Sequence, residues 1–194
     1  ERGMADHGWL KSAHSFSFAN FYDPNRMGFG LLRVLNDDYV EGGMGFGTHP
    51  HDNMEIISIA LEGELEHQDS MGNKVVIKPG EVQILSAGTG IKHSEKNKSS
   101  KDTVKFLQIW VMPRERNIVP RYDQRFFDPQ LSINSFQTVV SPDNLEEDGV
   151  KINQDAWFHL SSLEAGHEVN YEIKKNGNGL YLFVLEGSIE IEGQ

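Results

Sequence analysis

A stretch in the first half of the chain returns near its end. IISIALEGELE at 56–66 aligns without a gap against LYLFVLEGSIE at 180–190, so that Leu61, Glu62, Gly63 and Glu66 match Leu185, Glu186, Gly187 and Glu190. A strand–glycine–strand unit that recurs at constant offset indicates two copies of one β-domain. The flanking sequence agrees. LLRVLN at 31–36, EIISIALEG at 55–63, ELEHQD at 64–69 and VKFLQIWVMP at 104–113 are short β-branched or aromatic runs separated by glycine and asparagine turns. DSMGNK at 69–74 reads as a hairpin turn and KPGEVQIL at 78–85 as a proline–glycine turn feeding a strand, because these residues supply the dihedrals of tight turns. No convincing helix pattern interrupts them, and many short strands in succession predict an all-β fold of sandwich or small-barrel type.

The repeat divides the chain into 1–111, a linker at 112–130 and 131–194. The linker, MPRERNIVPRYDQRFFDPQ, is charged and proline-punctuated, and its length predicts a structured crossing segment rather than a loose tether. The second copy ends at LFVLEGSIEIEGQ, where the first still has several strands to come. A barrel lacking those strands would leave unpaired edges, so the second barrel is expected to be incomplete and the sequence to be part of a longer protein.

GTHPHDNMEIISIALEG at 47–63 poses the functional question. His49 and His51 one residue apart, followed by Glu55, fit a metal site, a solvated polar loop or a turn. In a strand, alternate side chains share a face, so His49 and His51 point the same way with Pro50 turned outward. GTGIKHSEKN at 88–97 repeats the device with His93 and Glu95. Two such pairs on neighbouring strands of a small barrel converge on its interior. Three neutral imidazoles and one carboxylate suit a divalent transition metal with open coordination positions rather than a closed structural zinc site. Composition narrows the choice further. The chain has no cysteine, which excludes disulfides, thiolate-bound metals and cysteine nucleophiles. Its formal charge of −11 and pI near 5.1, without a basic stripe, argue against nucleic acid as a direct ligand. No apolar stretch of membrane-spanning length and no leader pattern is visible, so no membrane association is expected and the cytoplasm is the expected compartment.

These residues carry a resemblance. HGWLKSAHSFSFANFYDPNRMGFG at 7–30, FGTHPHDNMEIISIALEGELEHQDSMGNK at 46–74 and PGEVQILSAGTGIKHSEKN at 79–97 resemble the pirins, a group of cupins with two tandem jelly-roll barrels, and above all bacterial pirin-like proteins. Gly43, His49, His51 and Glu55 meet the first cupin motif, although Gly63 comes one place late. In the second motif Ser86 stands where many cupins have proline, and two extra residues separate Gly88 from His93; pirins share both departures. The resemblance implies one metal in the N-terminal barrel, held by His49, His51, His93 and Glu95, with Glu55 in a supporting or structural role. It implies iron, with Mn, Co, Ni, Cu or Zn as alternatives for the same donors. Pirin-like bacterial proteins are similar to quercetin 2,3-dioxygenases, which implies opening of a flavonol ring with dioxygen and Glu95 as catalytic base. The alternative implied by the nuclear pirins is a metal-binding regulatory protein with a protein partner and no turnover. A sugar-phosphate isomerase of bicupin type is a weaker reading, since only Lys92 offers a basic group beside the ligands.

The other polar features receive ordinary expectations. His67, on ELEHQD, is expected to be exposed or cross-strand rather than a ligand. His159 and His167 lack a His-x-His partner, and His7 and His14 flank FSFANFY, whose phenylalanines are expected in the core. The repeat maps His49, His51 and Glu55 onto Ile173, Lys175 and Gly179, so the second copy is expected to bind no metal. GGMGFG leads into a strand, whereas a phosphate loop opens a helix.

Overall fold

The computed structural model describes residues 2–191. Eleven strands build the N-terminal part: β1 (Gly3–Asp6), β2 (Leu10–His14), β3 (Leu32–Val40), β4 (Gly45–His51), β5 (Glu55–Glu62), β6 (Leu65–Asp69), β7 (Lys74–Ile77), β8 (Glu81–Ser86), β9 (Ile91–Asn97), β10 (Val104–Val111) and β11 (Arg121–Phe126). They form a seven-stranded sheet in the order β1-β2-β3-β10-β5-β8-β11 and a four-stranded sheet in the order β4-β9-β6-β7. β12 (Gln137–Pro142), β13 (Val150–Ile152) and β14 (Phe158–Leu160) make a third, three-stranded sheet in the order β13-β12-β14. Among the described residues the helical content is one 3-10 turn at Pro129–Ser132, and no helix is long and apolar enough to cross a membrane. The all-β expectation holds.

Period-two alternation on the larger sheet places two different cores on its two faces. Val40, Ala60 and Phe106 pack with Leu65 and Ile77 of the smaller sheet, and Ile56 and Leu85 pack with Ile91. On the opposite face Leu35, Ile57, Ile59, Ile84, Leu107 and Ile109 meet Val139, Val140, Val150 and Ile152 of the C-terminal sheet. Cover on both faces explains why Glu55–Ala60 is buried at every position instead of alternating. The two N-terminal sheets face each other as a sandwich; hydrogen bonds do not close them into a continuous barrel.

Two local expectations have different outcomes. DSMGNK does form the β6–β7 hairpin, with the Asp69 carboxylate accepting from the backbone N–H groups of Met71 and Asn73 at 2.9 and 3.1 Å. The second repeat unit, 180–190, does not form strands. A strand persists only as a paired ladder, and among the described residues no ladder partner lies beside it. Tyr181 and Phe183 instead lean on the N-terminal part, Tyr181 against Phe16 at 5.4 Å between ring centres and Phe183 beneath the Arg2 guanidinium at 5.4 Å. Within 112–130, β11 pairs antiparallel with β8, Arg121 opposite Ser86 and Phe126 opposite Glu81.

Candidate metal centre

β4 and β9 pair antiparallel with a bulge: Phe46 lies opposite Glu95, while His49 lies opposite His93. Three residues of β4 therefore span two of β9. In an unbroken strand positions 46 and 49 would face opposite ways; the extra residue turns Phe46, His49 and His51 all inward. β9 needs no such device, because Ile91, His93, Glu95 and Asn97 alternate with more exposed neighbours.

The three imidazoles converge. Ring centres are 4.8 Å apart for His49 and His51, 4.5 Å for His49 and His93, and 4.9 Å for His51 and His93. One nitrogen from each lies within 4.8 Å of the others. His49 Nδ1 is 2.7 Å from the Gly47 carbonyl; donation there leaves Nε2 as the free ligand atom. The Nε2 atoms of His51 and His93 are buried without a hydrogen-bond partner. Burial, reinforced by the neighbouring imidazoles, depresses His51 to about 4 and His93 to about 3. Both rings are thus neutral across physiological pH, the form that binds metal. Three clustered imidazoles, with unpartnered, buried nitrogens on His51 and His93, fit a divalent transition metal.

Glu95 lies two residues beyond His93 and is buried, but its carboxylate is already engaged. It accepts from Ser58 Oγ at 3.0 Å and from Gln108 Nε2 at 2.7 Å. Burial pushes its pKa up to about 7. Its close neighbours among metal-capable groups are His93 and His67. The structure therefore gathers His49, His51 and His93 into one tight group and holds Glu95 beside it on hydrogen bonds of its own.

Glu55 turns the other way. Its Oε2 accepts from Ser86 Oγ at 2.7 Å and from the Asn153 N–H of the C-terminal part at 3.1 Å. It shares the β5 face of Ile57, not the face of Ser58, which bonds Glu95.

Of the two expectations for His67, exposed or cross-strand, the structure shows the second. It is fully buried, opposite Glu95 in the β6–β9 ladder, with its ring 4.9 Å from that of Tyr122. Its Nε2 is 3.2 Å from Asp69 Oδ2 and its Nδ1 is 3.5 Å from His93 Nδ1. The signal was present in ELEHQD, where Leu65, His67 and Asp69 alternate onto one face. FSFANFY is divided: Phe16 is core, whereas Phe18 stands 5.4 Å from Trp110, whose ring is 5.0 Å from His51. Phe18, Trp110, Phe46 and the three histidines line a cavity of about 320 Å³, within the range of small-molecule sites. His159 contacts Thr138 and Tyr171, and Lys175 pairs with Asp155.

Comparison with known proteins shows the family. Residues 1–111 match the Pirin family model and 138–194 match the model described as the quercetinase C-terminal cupin domain. The quercetin 2,3-dioxygenase of Escherichia coli K12 is 50% identical over 197 residues, covering 100% of this chain and 81% of that protein. A putative quercetin 2,3-dioxygenase of Pseudomonas aeruginosa is 44% identical over 98% of this chain and 82% of its own. The crystal structure of YhhW from Escherichia coli superposes with a TM-score of 0.77 at 56% identity, covering 81% of this chain and 66% of that one. A second crystal structure, the bacterial pirin YhhW in complex with nickel(II), gives 0.74 at 56% identity over 79% of this chain and 65% of that one. These matches span slightly less than two thirds of the solved chains. With a family model covering more than half of its residues and half-identical relatives along its whole length, the chain belongs to the pirin family of cupin proteins.

Proposed function

We propose that this pirin is a metal-dependent dioxygenase of quercetinase type, opening a flavonol ring with dioxygen in the cytoplasm. The observation that carries the reading is the group of three histidines, two of them, His51 and His93, neutral with buried, unpartnered Nε2 atoms, on the wall of a small-molecule-sized cavity. His49, His51, His93 and Glu95 would hold one divalent ion, iron in this reading. The nickel(II) complex of the E. coli relative supports a divalent ion of this kind. When bound, the ion supplies Lewis-acid and redox chemistry with coordination positions left for substrate. We assign the metal to a cupin at 1–111, and regard 112–130 as the linker and 131–194 as part of a metal-free second cupin.

The residues have separable tasks. Trp110 and Phe18 offer flat apolar surface beside His51, suited to an aromatic substrate and to exclusion of water. Glu95, with a pKa raised to about 7 by burial, is matched to accept the flavonol hydroxyl proton near neutral pH. Ser58 and Gln108 hold that carboxylate in place.

Oxygen uptake with quercetin, measured on protein loaded in turn with iron, manganese, cobalt, nickel and copper, tests the reading. Turnover with at least one metal is expected, and Glu95→Gln is expected to retain much of the metal while losing roughly 10²-fold or more in rate, the scale of a lost general base. No uptake across a flavonol panel at full occupancy would favour the regulatory, metal-binding role instead.

A further inference from the structure

A row of polar side chains crosses the inner face of the seven-stranded sheet. Ladder register sets His14 opposite Asn36, Asn36 opposite Gln108, Gln108 opposite Ser58, and Ser58 opposite Gln83. Residues directly opposite in an antiparallel ladder share a face, so these side chains form one continuous line. On one side it is flanked by Ser12, Asp38, Phe106 and Ala60, on the other by Trp110, Ile56 and Leu85.

Three of the row's five side chains open into the cavity. His14, Asn36 and Gln108 line it, together with the metal-site histidines. They are 2%, 2% and 7% exposed, and His14 Nδ1, Asn36 Oδ1 and Gln108 Oε1 have no hydrogen-bond partner among the described residues. A buried polar atom left unpaired is costly, and polar groups in protein interiors are nearly always satisfied. Three such atoms converging on one cavity mark groups that await a polar ligand. Gln108 is directional: its Nε2 donates to Glu95, which leaves Oε1 to accept from whatever occupies the cavity.

An aromatic path joins this row to the metal site. The His51 ring lies 5.0 Å from Trp110, Trp110 5.4 Å from Phe18, and Phe18 5.2 Å from His14. A flat molecule seated along that path with one end at His51 has its far end at His14 and Asn36.

We infer that His14 and Asn36 form a second recognition point, which takes phenolic hydroxyls on the end of the substrate remote from its reacting oxygen. The Asn36 oxygen accepts from a phenolic O–H group, and His14 Nδ1 donates or accepts according to its tautomer. This rests on the quercetinase reading and sharpens it: the site selects polyhydroxylated aromatics over analogues that carry only the reacting hydroxyl.

The test compares kcat/KM for quercetin with that for 3-hydroxyflavone, which keeps the reacting hydroxyl and lacks the others. The metal-loaded protein is expected to favour quercetin by 10-fold or more, since a site with unpaired polar groups rejects the analogue that cannot satisfy them. Asn36→Leu and His14→Phe, each checked for folding by circular dichroism, are expected to reduce that ratio toward one. A ratio near one in the unaltered protein overturns the proposal without reference to any variant, and a ratio unchanged in a folded variant overturns it too. If neither flavonol is turned over, calorimetric binding of the same pair separates the outcomes. Selective binding of quercetin keeps the recognition point and rejects the reaction, whereas no binding of either rejects both.

Discussion

His93 can offer Nε2 to an ion only if its proton sits on Nδ1, and the groups behind it favour that arrangement. Asp69 Oδ2 accepts from His67 Nε2–H at 3.2 Å; the lone pair of His67 Nδ1 then faces His93 Nδ1 at 3.5 Å and accepts a hydrogen bond from its N–H. Each donor and acceptor in the line has one consistent role, and His93 Nε2 is left bare. Outer partners of this kind typically contribute 10–100-fold in metal affinity. His67→Leu, which keeps the volume and removes the acceptor, is therefore expected to weaken nickel(II) binding by roughly 10–100-fold in a competition titration. A second residue-scale prediction concerns Asp38, where burial raises the carboxyl to about 7 although Ser12 Oγ donates to it. Between the ordinary carboxylate range and about 7 the folded state holds a proton that the unfolded state has released, so this contribution to stability falls as pH rises through that window and is flat above it. In Asp38→Asn that dependence disappears: relative to the parent, the variant should gain stability between pH 4 and pH 8, read from denaturant midpoints of the metal-free protein.

Strands, more than single residues, decide whether the ligands meet. The alternation that turns His49 with His51, and His93 with Glu95, was legible in the sequence because it is local. The bulge after Phe46 was not, since it exists only relative to β9. Gly45 shows how tight that pairing is: a Cβ there would overlap the backbone of Glu95 and Lys96. Gly45→Ala is expected to push β4 off β9, costing about 1–3 kcal/mol of stability and weakening nickel(II) binding through the displaced His49 and His51. A thermal melt and a metal titration check the two effects together. The polar row of His14, Asn36 and Gln108 was illegible for the same reason: β2, β3 and β10 are distant in sequence, and only their register aligns those residues. His67 was legible as a cross-strand residue, and its alternation with Leu65 and Asp69 chooses the inward face over solvent.

Across the whole molecule the larger sheet is an inner wall for the cavity and an outer wall for the C-terminal part. Glu55 marks that division. The first cupin motif places it among the ligands' neighbours, yet it bonds Ser86 and the Asn153 backbone, and the Arg121 side chain reaches Ser86 Oγ at 3.4 Å and the Lys151 carbonyl beside it. A sequence motif records spacing along β5 and not which sheet covers each face, so the resemblance implies a supporting role for Glu55 but its partners, Ser86 and the Asn153 backbone just beyond β13, become visible only in the structure. The repeat unit at 180–190 has the same limit, because a strand-like pattern needs a neighbouring strand before it becomes one. The inner wall carries the account's central claim, that a single divalent ion sits among His49, His51, His93 and Glu95. An anomalous difference map recorded at the nickel edge from nickel-loaded crystals tests it most directly. The account predicts one peak in the N-terminal part, about 2.0–2.2 Å from the three histidine Nε2 atoms and a Glu95 oxygen; a peak elsewhere, or one that leaves out His51 or Glu95, would contradict it.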